Sequence, residues 1–161
     1  MPAIEIGCSA TSAAASPAPA DLIFVQVGYG NDNPSVGYAA FIPAVRYNGP
    51  YDGQDYEATD LLFVLTVPKS IFTGGPAVQA NGGSQNFDWS ATVKSSGDNW
   101  VYTVTLTGAP ITGSKPNAQI SIGLPYDLAQ KGPSFTGTFS ATHDGGIPVE
   151  GTPTTIGNQL N

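Results

Sequence analysis

Carboxylate side chains concentrate between residues 52 and 60, the part of the sequence best suited to bind a cation. Asp52, Asp55 and Glu57 follow one another closely, and Asp60 comes shortly after them. Calcium takes about six to eight oxygen ligands, and loops between strands often donate them. The spacing differs from the EF-hand pattern, so a solvated acidic loop is the simpler interpretation. We therefore expect no obligatory cofactor, with calcium at these four carboxylates as the one candidate ion.

Tyrosine residues accumulate in and before the same stretch, at Tyr47, Tyr51 and Tyr56. A tyrosine ring can stack on a sugar, while neighbouring amide and carboxylate groups form hydrogen bonds to the sugar hydroxyls. Loop tyrosines also pack against their own domain, so both interpretations stay open. If the chain binds a small ligand, we expect a carbohydrate, held by these three tyrosines.

Catalytic signals are weak. His143, the only histidine, stands beside Asp144, but two adjacent residues in a turn do not favour the carboxylate–imidazole arrangement of a catalytic triad. The sequence has no Gly-x-Ser-x-Gly segment. Its only cysteine, Cys8, is far from the histidine in the sequence, so a zinc site lacks ligands. We expect a protein that is not an enzyme.

The charge of the chain excludes several partners. With 5 Lys and Arg against 12 Asp and Glu, the formal net charge is −7, and the basic residues form no stripe, which argues against nucleic acid. The longest apolar run, residues 61–65, is too short for a membrane span. Only 11% of residues are charged, against about a quarter in typical domains. We expect no membrane insertion and an extracellular, cell-surface or virion location.

Alternating apolar residues between Phe87 and Leu106 predict the β-hairpin around which the fold is organised. A polar loop at residues 95–98 separates its two strands. Other short β-forming segments recur along the chain, including a nearly continuous apolar run from Leu61 to Val67 and a segment from Gln119 to Leu124. Pro43 interrupts another strand and predicts an edge position or a bulge. The predicted core comprises Phe24, Phe63, Leu65, Trp89, Trp100, Tyr102, Val104, Leu106, Ile120, Ile122 and Phe139.

These segments predict an all-β chain, an antiparallel β-sandwich of about eight strands. We expect the sandwich to occupy residues 21–145 and residues 146–161 to form a C-terminal extension. Residues 1–20 are expected to form an extended N-terminal segment that continues into an Ala/Ser/Pro tether. Within it, the alternating residues Ile4 and Ile6 predict a short strand that adds to the sheet edge of a neighbouring copy. Pairing with an edge of its own domain is the alternative.

Three segments together carry a family resemblance. The strand ending at Val67 and Pro68, the strand of Trp89 and the strand from Trp100 to Gly108 resemble immunoglobulin-like modules of bacterial surface proteins and phage virions. The resemblance covers roughly residues 21–145 and lacks the paired cysteines of antibody domains. It implies an immunoglobulin-like sandwich.

With no catalytic signature, we expect a structural or adhesive module of an extracellular surface assembly, such as a filament, a cell-surface layer or a virion surface. Its partners would be copies of itself or other proteins of that assembly. The alternative is a carbohydrate-binding module, dependent on calcium or not, that uses the tyrosine-rich acidic loop.

Overall fold

The computed structural model describes residues 21–29, 37–48, 58–80, 87–108, 111, 117–130 and 132–159. Within these ranges the chain forms two antiparallel sheets, which confirms the predicted all-β sandwich. The strands are β1 (Leu22–Tyr29), β2 (Tyr38–Tyr47), β3 (Leu62–Pro68), β4 (Val78–Gln79), β5 (Phe87–Ser96), β6 (Asn99–Gly108), β7 (Asn117–Gln119), β8 (Ile122–Pro125), β9 (Ser134–His143), β10 (Ile147–Pro148) and β11 (Thr154–Gln159). The sequence predicted about eight strands, and the additional ones are short or lie near the C-terminus.

The first sheet has the order β1-β2-β8-β4, with β7 also beside β2. The second has the order β10-β9-β3-β6-β5, with β11 also beside β9. Side chains of β3 and β9 alternate between buried and more exposed positions, as expected of strands with one face on the core. The apolar run of β3 therefore belongs to a central strand, and its alternate residues Leu62, Val64 and Thr66 are only partly buried.

The core fills the space between the sheets. Its fully buried aromatic rings include Phe41, Phe63, Phe72 and Phe139, and the Phe63 and Phe139 rings meet edge to face with centroids 5.3 Å apart. Most of the predicted core is buried. The exceptions are Phe24, Trp89 and Trp100, which are partly buried and pack against the core from its margin.

The β5–β6 hairpin is confirmed, with Ser96 opposite Asn99 across a two-residue turn. Gly97 opens this turn at φ +55°, a conformation that glycine adopts without a steric penalty. The turn is also tied to the end of β3, because the Lys69 N–H donates to the Asp98 carbonyl at 2.9 Å. This hydrogen bond thereby holds the end of β3 against the turn between β5 and β6.

Pro43 lies in β2, which is an interior strand and not an edge. Its carbonyl accepts a hydrogen bond from the Ile120 N–H at 3.4 Å, so its ring nitrogen, which has no hydrogen to donate, faces the same neighbour. There the strand predicted from Gln119 to Leu124 is divided: β7 ends at Gln119 and β8 begins at Ile122. On the other side of β2, the register of β1 shifts between Phe24 and Gln26. The predicted edge position is therefore wrong, and the irregularities lie in the strands on either side of β2, which itself runs unbroken through Pro43.

The segment predicted as a C-terminal extension contributes β10 and β11 to the second sheet. Val149 and Ile156 are buried in the core. Between these strands, the Phe24 N–H donates to the Glu150 carbonyl at 2.8 Å, and the Glu150 N–H donates to the Leu22 carbonyl at 3.0 Å. The described sandwich therefore continues to Gln159, and Glu150 joins its two sheets.

Candidate functional site

One of the three tyrosines predicted to bind a sugar is buried in the core. Tyr47 is the last residue of β2 and is 1% exposed, so its ring belongs to the core and offers no face on which a sugar could stack. This corrects its assignment to the sugar site: the alternation of side chains along β2 turns Tyr47 inward. Tyr51 and Tyr56 lie outside the described residues, so a ligand site there stays a prediction.

The predicted calcium ligands fall mostly outside the described residues, as do Ile4 and Ile6. Asp60 is described; it is exposed, just before β3. Among the described residues, no group of three or more His, Cys, Asp or Glu side chains stands close enough to hold a metal ion. A calcium site at Asp52, Asp55, Glu57 and Asp60 stays a prediction.

His143 and Asp144 form the contact that their adjacency did not favour. The His143 Nδ1 lies 2.6 Å from the Asp144 Oδ2. The other carboxylate oxygen, Oδ1, accepts from the Thr59 hydroxyl at 3.2 Å, and the Asp144 N–H donates to the Thr59 carbonyl at 2.7 Å. Because His143 is only 2% exposed, its imidazole does not face a substrate. The pair fastens the turn after β9 to the segment before β3.

A cleft of about 550 Å³ lies between the turn that follows β3 and the segment that follows β8. Two backbone hydrogen bonds join these walls: the Thr73 N–H donates to the Pro125 carbonyl at 3.1 Å, and the Asp127 N–H to the Ile71 carbonyl at 2.9 Å. Ligand pockets commonly measure about 300–1,000 Å³, so this volume suits a small molecule. The cleft is lined by residues 69–73 and 125–128 together with Gly37, Tyr38 and Trp100.

The indole of Trp100 is a fixed part of this cleft. Its Nε1 donates to the Phe72 carbonyl at 2.9 Å, and the Lys69 Nζ lies 4.8 Å from the ring centroid. Gly74, at φ +79°, packs against the indole so closely that a Cβ there would lie 2.4 Å from the ring. The Lys69 ammonium also donates to the Ser95 hydroxyl. The aromatic wall is therefore set before any ligand enters, with Lys69 and Asp127 as the charged groups beside it.

Two long strands lie at the edges of the sheets. On the side of β5 away from β6, no described residue pairs with it. Its residues Trp89, Ala91 and Val93 are only half-buried, although they pack against the core. On β1, Glu150 covers the edge as far as Phe24, and beyond it Val25 is 45% exposed. Unpaired, weakly charged edges of this kind can pair with strands of other chains.

No family model matches the chain, and a comparison with curated proteins finds no match. In the part of the chain that the structure describes, no helix has the length and apolar character needed to cross a membrane. The cleft and the sheet edges are therefore the features that bear on function.

Proposed function

We propose that the chain is a non-enzymatic structural subunit of an extracellular surface assembly and associates with copies of itself through its sheet edges. The observation that supports this most directly is the outer edge of β5, ten residues long and without a described partner. Native proteins that stay monomeric usually protect such edges with charged side chains, proline, bulges or a covering segment, and inward-pointing charges are a protection that β5 lacks.

The side chains of β5 fit this proposal. Its charged residues, Asp88 and Lys94, are exposed on the solvent face. The opposite face carries Trp89, Ala91 and Val93, which have no charge and remain half-buried. An added strand would cover these apolar groups while completing backbone hydrogen bonds, and both effects favour association.

Light scattering of the purified chain over a range of concentrations tests the proposal. We expect the mass to rise above that of one chain, 16.5 kDa, as the concentration increases. Electron microscopy of the concentrated sample should then show filaments, layers or closed particles. A mass of one chain at every concentration would contradict the proposal.

Matched variants locate the association. Val25→Lys on β1 and Ala91→Lys on β5 place a charge at an edge, whereas Gln26→Lys and Thr92→Lys add the same charge at the neighbouring, exposed residue of each strand. We expect at least one edge variant to lower the mass and its control to leave the mass unchanged. If all four behave as the parent does, association runs through the sandwich faces.

The second candidate function is carbohydrate binding, favoured by the cleft beside Trp100. The cleft brings together a fixed indole, the Tyr38 ring and the polar ends of Lys69 and Asp127, and ligand pockets combine aromatic walls with a few polar groups in this way. Calorimetry against neutral oligosaccharides tests it. Asp127→Asn should weaken binding, whereas Asp88→Asn, on the solvent face of β5, should not.

The tyrosine-rich acidic loop, with Tyr51 and Tyr56, is the other location for a sugar site. Binding there should be lost in Tyr51→Ala and, if calcium takes part, in the presence of a chelator. Absence of binding to any sugar tested would leave assembly as the function.

A further inference from the structure

We propose that β5 is the acceptor edge and that residues 3–6 of a second copy are the strand that adds to it. This inference rests on the proposed function, because it names the two surfaces through which copies associate. Four observations carry it: the direction of the β5 backbone groups, the apolar face of β5, the exposed Lys94, and the reach of the N-terminal segment.

The hairpin turn determines which backbone groups of β5 are available. Ser96 and Asn99 flank a two-residue turn and therefore form a hydrogen-bonded pair. Bonded and non-bonded pairs alternate along an antiparallel ladder, so Trp89, Ala91 and Val93 direct their N–H and C=O groups away from β6. The β5–β6 register has no shift from Phe87 to Ser96. The outer edge thus offers a regular row of donors and acceptors.

The same residues present the apolar face. Because side chains alternate along a strand, Trp89, Ala91 and Val93 all face the core side, where each is half-buried. The small Ala91 side chain lies between two larger ones. Ile4 and Ile6 are two residues apart and would share one face of an added strand. Their spacing of about 6.6–6.8 Å equals that between successive inward residues of β5.

Charge complementarity also favours an added strand whose isoleucines face the core side. With Ile4 and Ile6 facing the core side, Glu5 points to the solvent face, where Lys94 is exposed. Among the described residues, Lys94 has no carboxylate within ion-pair distance. Opposite charges on neighbouring strands stabilise their pairing.

The connecting segment is long enough to reach a neighbouring molecule. Residues 7–21 separate Ile6 from β1, and at about 3.3 Å per residue they can extend to roughly 50 Å. Their Ala/Ser/Pro composition is typical of a semi-extended tether. Since this reach includes the edge of the same molecule, the experiment must separate pairing within one copy from pairing between copies.

The other long edges fit less well. The register shift of β1 between Phe24 and Gln26 bends its edge, and Glu150 already occupies part of it. On β11, Ile156 is buried and Thr155 and Gly157 are exposed, so an added strand would find no half-buried apolar residues there. β5 is the edge that combines regular backbone groups with an apolar face to cover.

Two complementary full-length variants test the inference. The donor variant, Ile4→Asp with Ile6→Asp, keeps β5 intact. The acceptor variant, Ala91→Pro, removes an outward N–H without touching the ladder to β6, a place where edge strands tolerate proline. Each alone should have the mass of one chain, 16.5 kDa, at concentrations about tenfold above those at which the parent associates. Mixed in equal amounts, they should form a complex of two chains and nothing larger.

Thr92→Ala serves as the control and should associate as the parent does, because Thr92 is exposed on the solvent face of β5. Circular dichroism and melting curves establish that the variants are folded. If Ala91→Pro does not fold, Ala91→Asp replaces it, because a charge there blocks the apolar face while the backbone stays intact.

The outcomes separate this inference from the proposed function. If both variants associate like the parent, the strand-donation inference is overturned and assembly through other surfaces stands. If each is monomeric but the mixture gives no two-chain complex, donation between copies is overturned as well. If the parent itself is monomeric at every concentration, the proposed function fails.

Discussion

The two strands of the central hairpin have the same alternating pattern but different environments. In β6, Tyr102 and Val104 are fully buried. In β5, their direct partners Val93 and Ala91 are only half-buried. The reason is position: β6 has β3 on its other side, whereas β5 is the outer strand of its sheet. Alternation determines which face a side chain takes, and the place of the strand in the sheet determines how completely that face is covered.

Because of this difference, β6 should mainly determine the stability of the fold, and the adjacent β5 should mainly determine its interactions with other chains. Substitutions in β6 should mainly lower the free energy of unfolding, because they open cavities in a packed core. Substitutions in β5 should mainly change association, because their side chains are already accessible to another chain. Unfolding measurements on variants of the two strands test that division.

Tyr102→Ala should destabilise the fold by about 3–5 kcal/mol, the usual cost of deleting a buried aromatic ring. The substitution also removes the hydroxyl that donates to the Gly75 carbonyl at 2.6 Å. Urea unfolding measures the change. Tyr102→Phe is the control, since it keeps the ring and should cost only about 1–2 kcal/mol. Equal losses for the two variants would show that the ring contributes nothing to the core.

Alkaline pH should weaken the fold through the same residue. Burial raises the pKa of Tyr102 from its ordinary value of 10.0 to about 12. Below pH 10 the phenol is neutral in the folded and unfolded chain, so its contribution is fully present. Between pH 10 and pH 12 only the unfolded chain loses the proton, which favours unfolding by roughly 2–3 kcal/mol at the upper limit.

The unfolding free energy should therefore be measured from pH 8 to pH 11.5 for the parent and for Tyr102→Phe. The advantage of the parent over Tyr102→Phe should shrink above pH 10, while other groups that titrate there affect both proteins equally. A constant difference across this range would contradict the raised pKa.

Val104→Ala and Val93→Ala form the matched pair for the two strands. Val104 is fully buried in β6, so its truncation should cost about 2 kcal/mol through lost burial and the remaining cavity. Val93 is half-buried in β5, and its truncation should cost less than about 1 kcal/mol. Urea unfolding at a concentration where the chain is monomeric makes the comparison. Costs of similar size would mean that β5 is as well covered as β6.

Lys69→Met should have the smallest effect, a loss of about 0.5–1 kcal/mol. The ammonium lies over the Trp100 ring and donates to Ser95, the residue directly opposite Trp100 in the hairpin. Met retains the length of the side chain and removes the charge. Lys94→Met is the control, because its side chain is exposed on the solvent face of β5. A melting temperature that is the same in both variants would show that the contact with Trp100 does not stabilise the hairpin.

Regular alternation made much of the second sheet predictable. The hairpin strands and β9 have apolar residues at every second position, and their burial follows that pattern. β11 was missed because its sequence, from Thr154 to Gln159, has one inward aliphatic residue, Ile156, among threonine and glycine. The position of β11 depends on its pairing with the edge of β9. A short sequence window contains no information about that pairing.

The candidate site was harder to predict. Lys69, Trp100 and Asp127 meet at one cleft although they come from three distant segments, and no local spacing indicates such a meeting. Tyr47 was assigned to the sugar site because other tyrosines and polar residues follow it, whereas it is the last residue of β2 and its side chain is buried in the core. Alternation predicts the ends of strands poorly, because the pattern does not indicate the residue at which a strand stops.

The contact of Glu150 with β1 has a consequence for the speed of folding. The Glu150 backbone forms hydrogen bonds with Leu22 and Phe24. Its side chain contacts Asn48, which lies 102 residues earlier in the sequence. Closing so long a loop costs entropy before any contact forms, and folds dominated by such distant pairs reach the native state slowly. During synthesis, the outer edge of β1 gains its backbone partner only after residue 150 has left the ribosome. Until then, β2 is the strand with which β1 pairs.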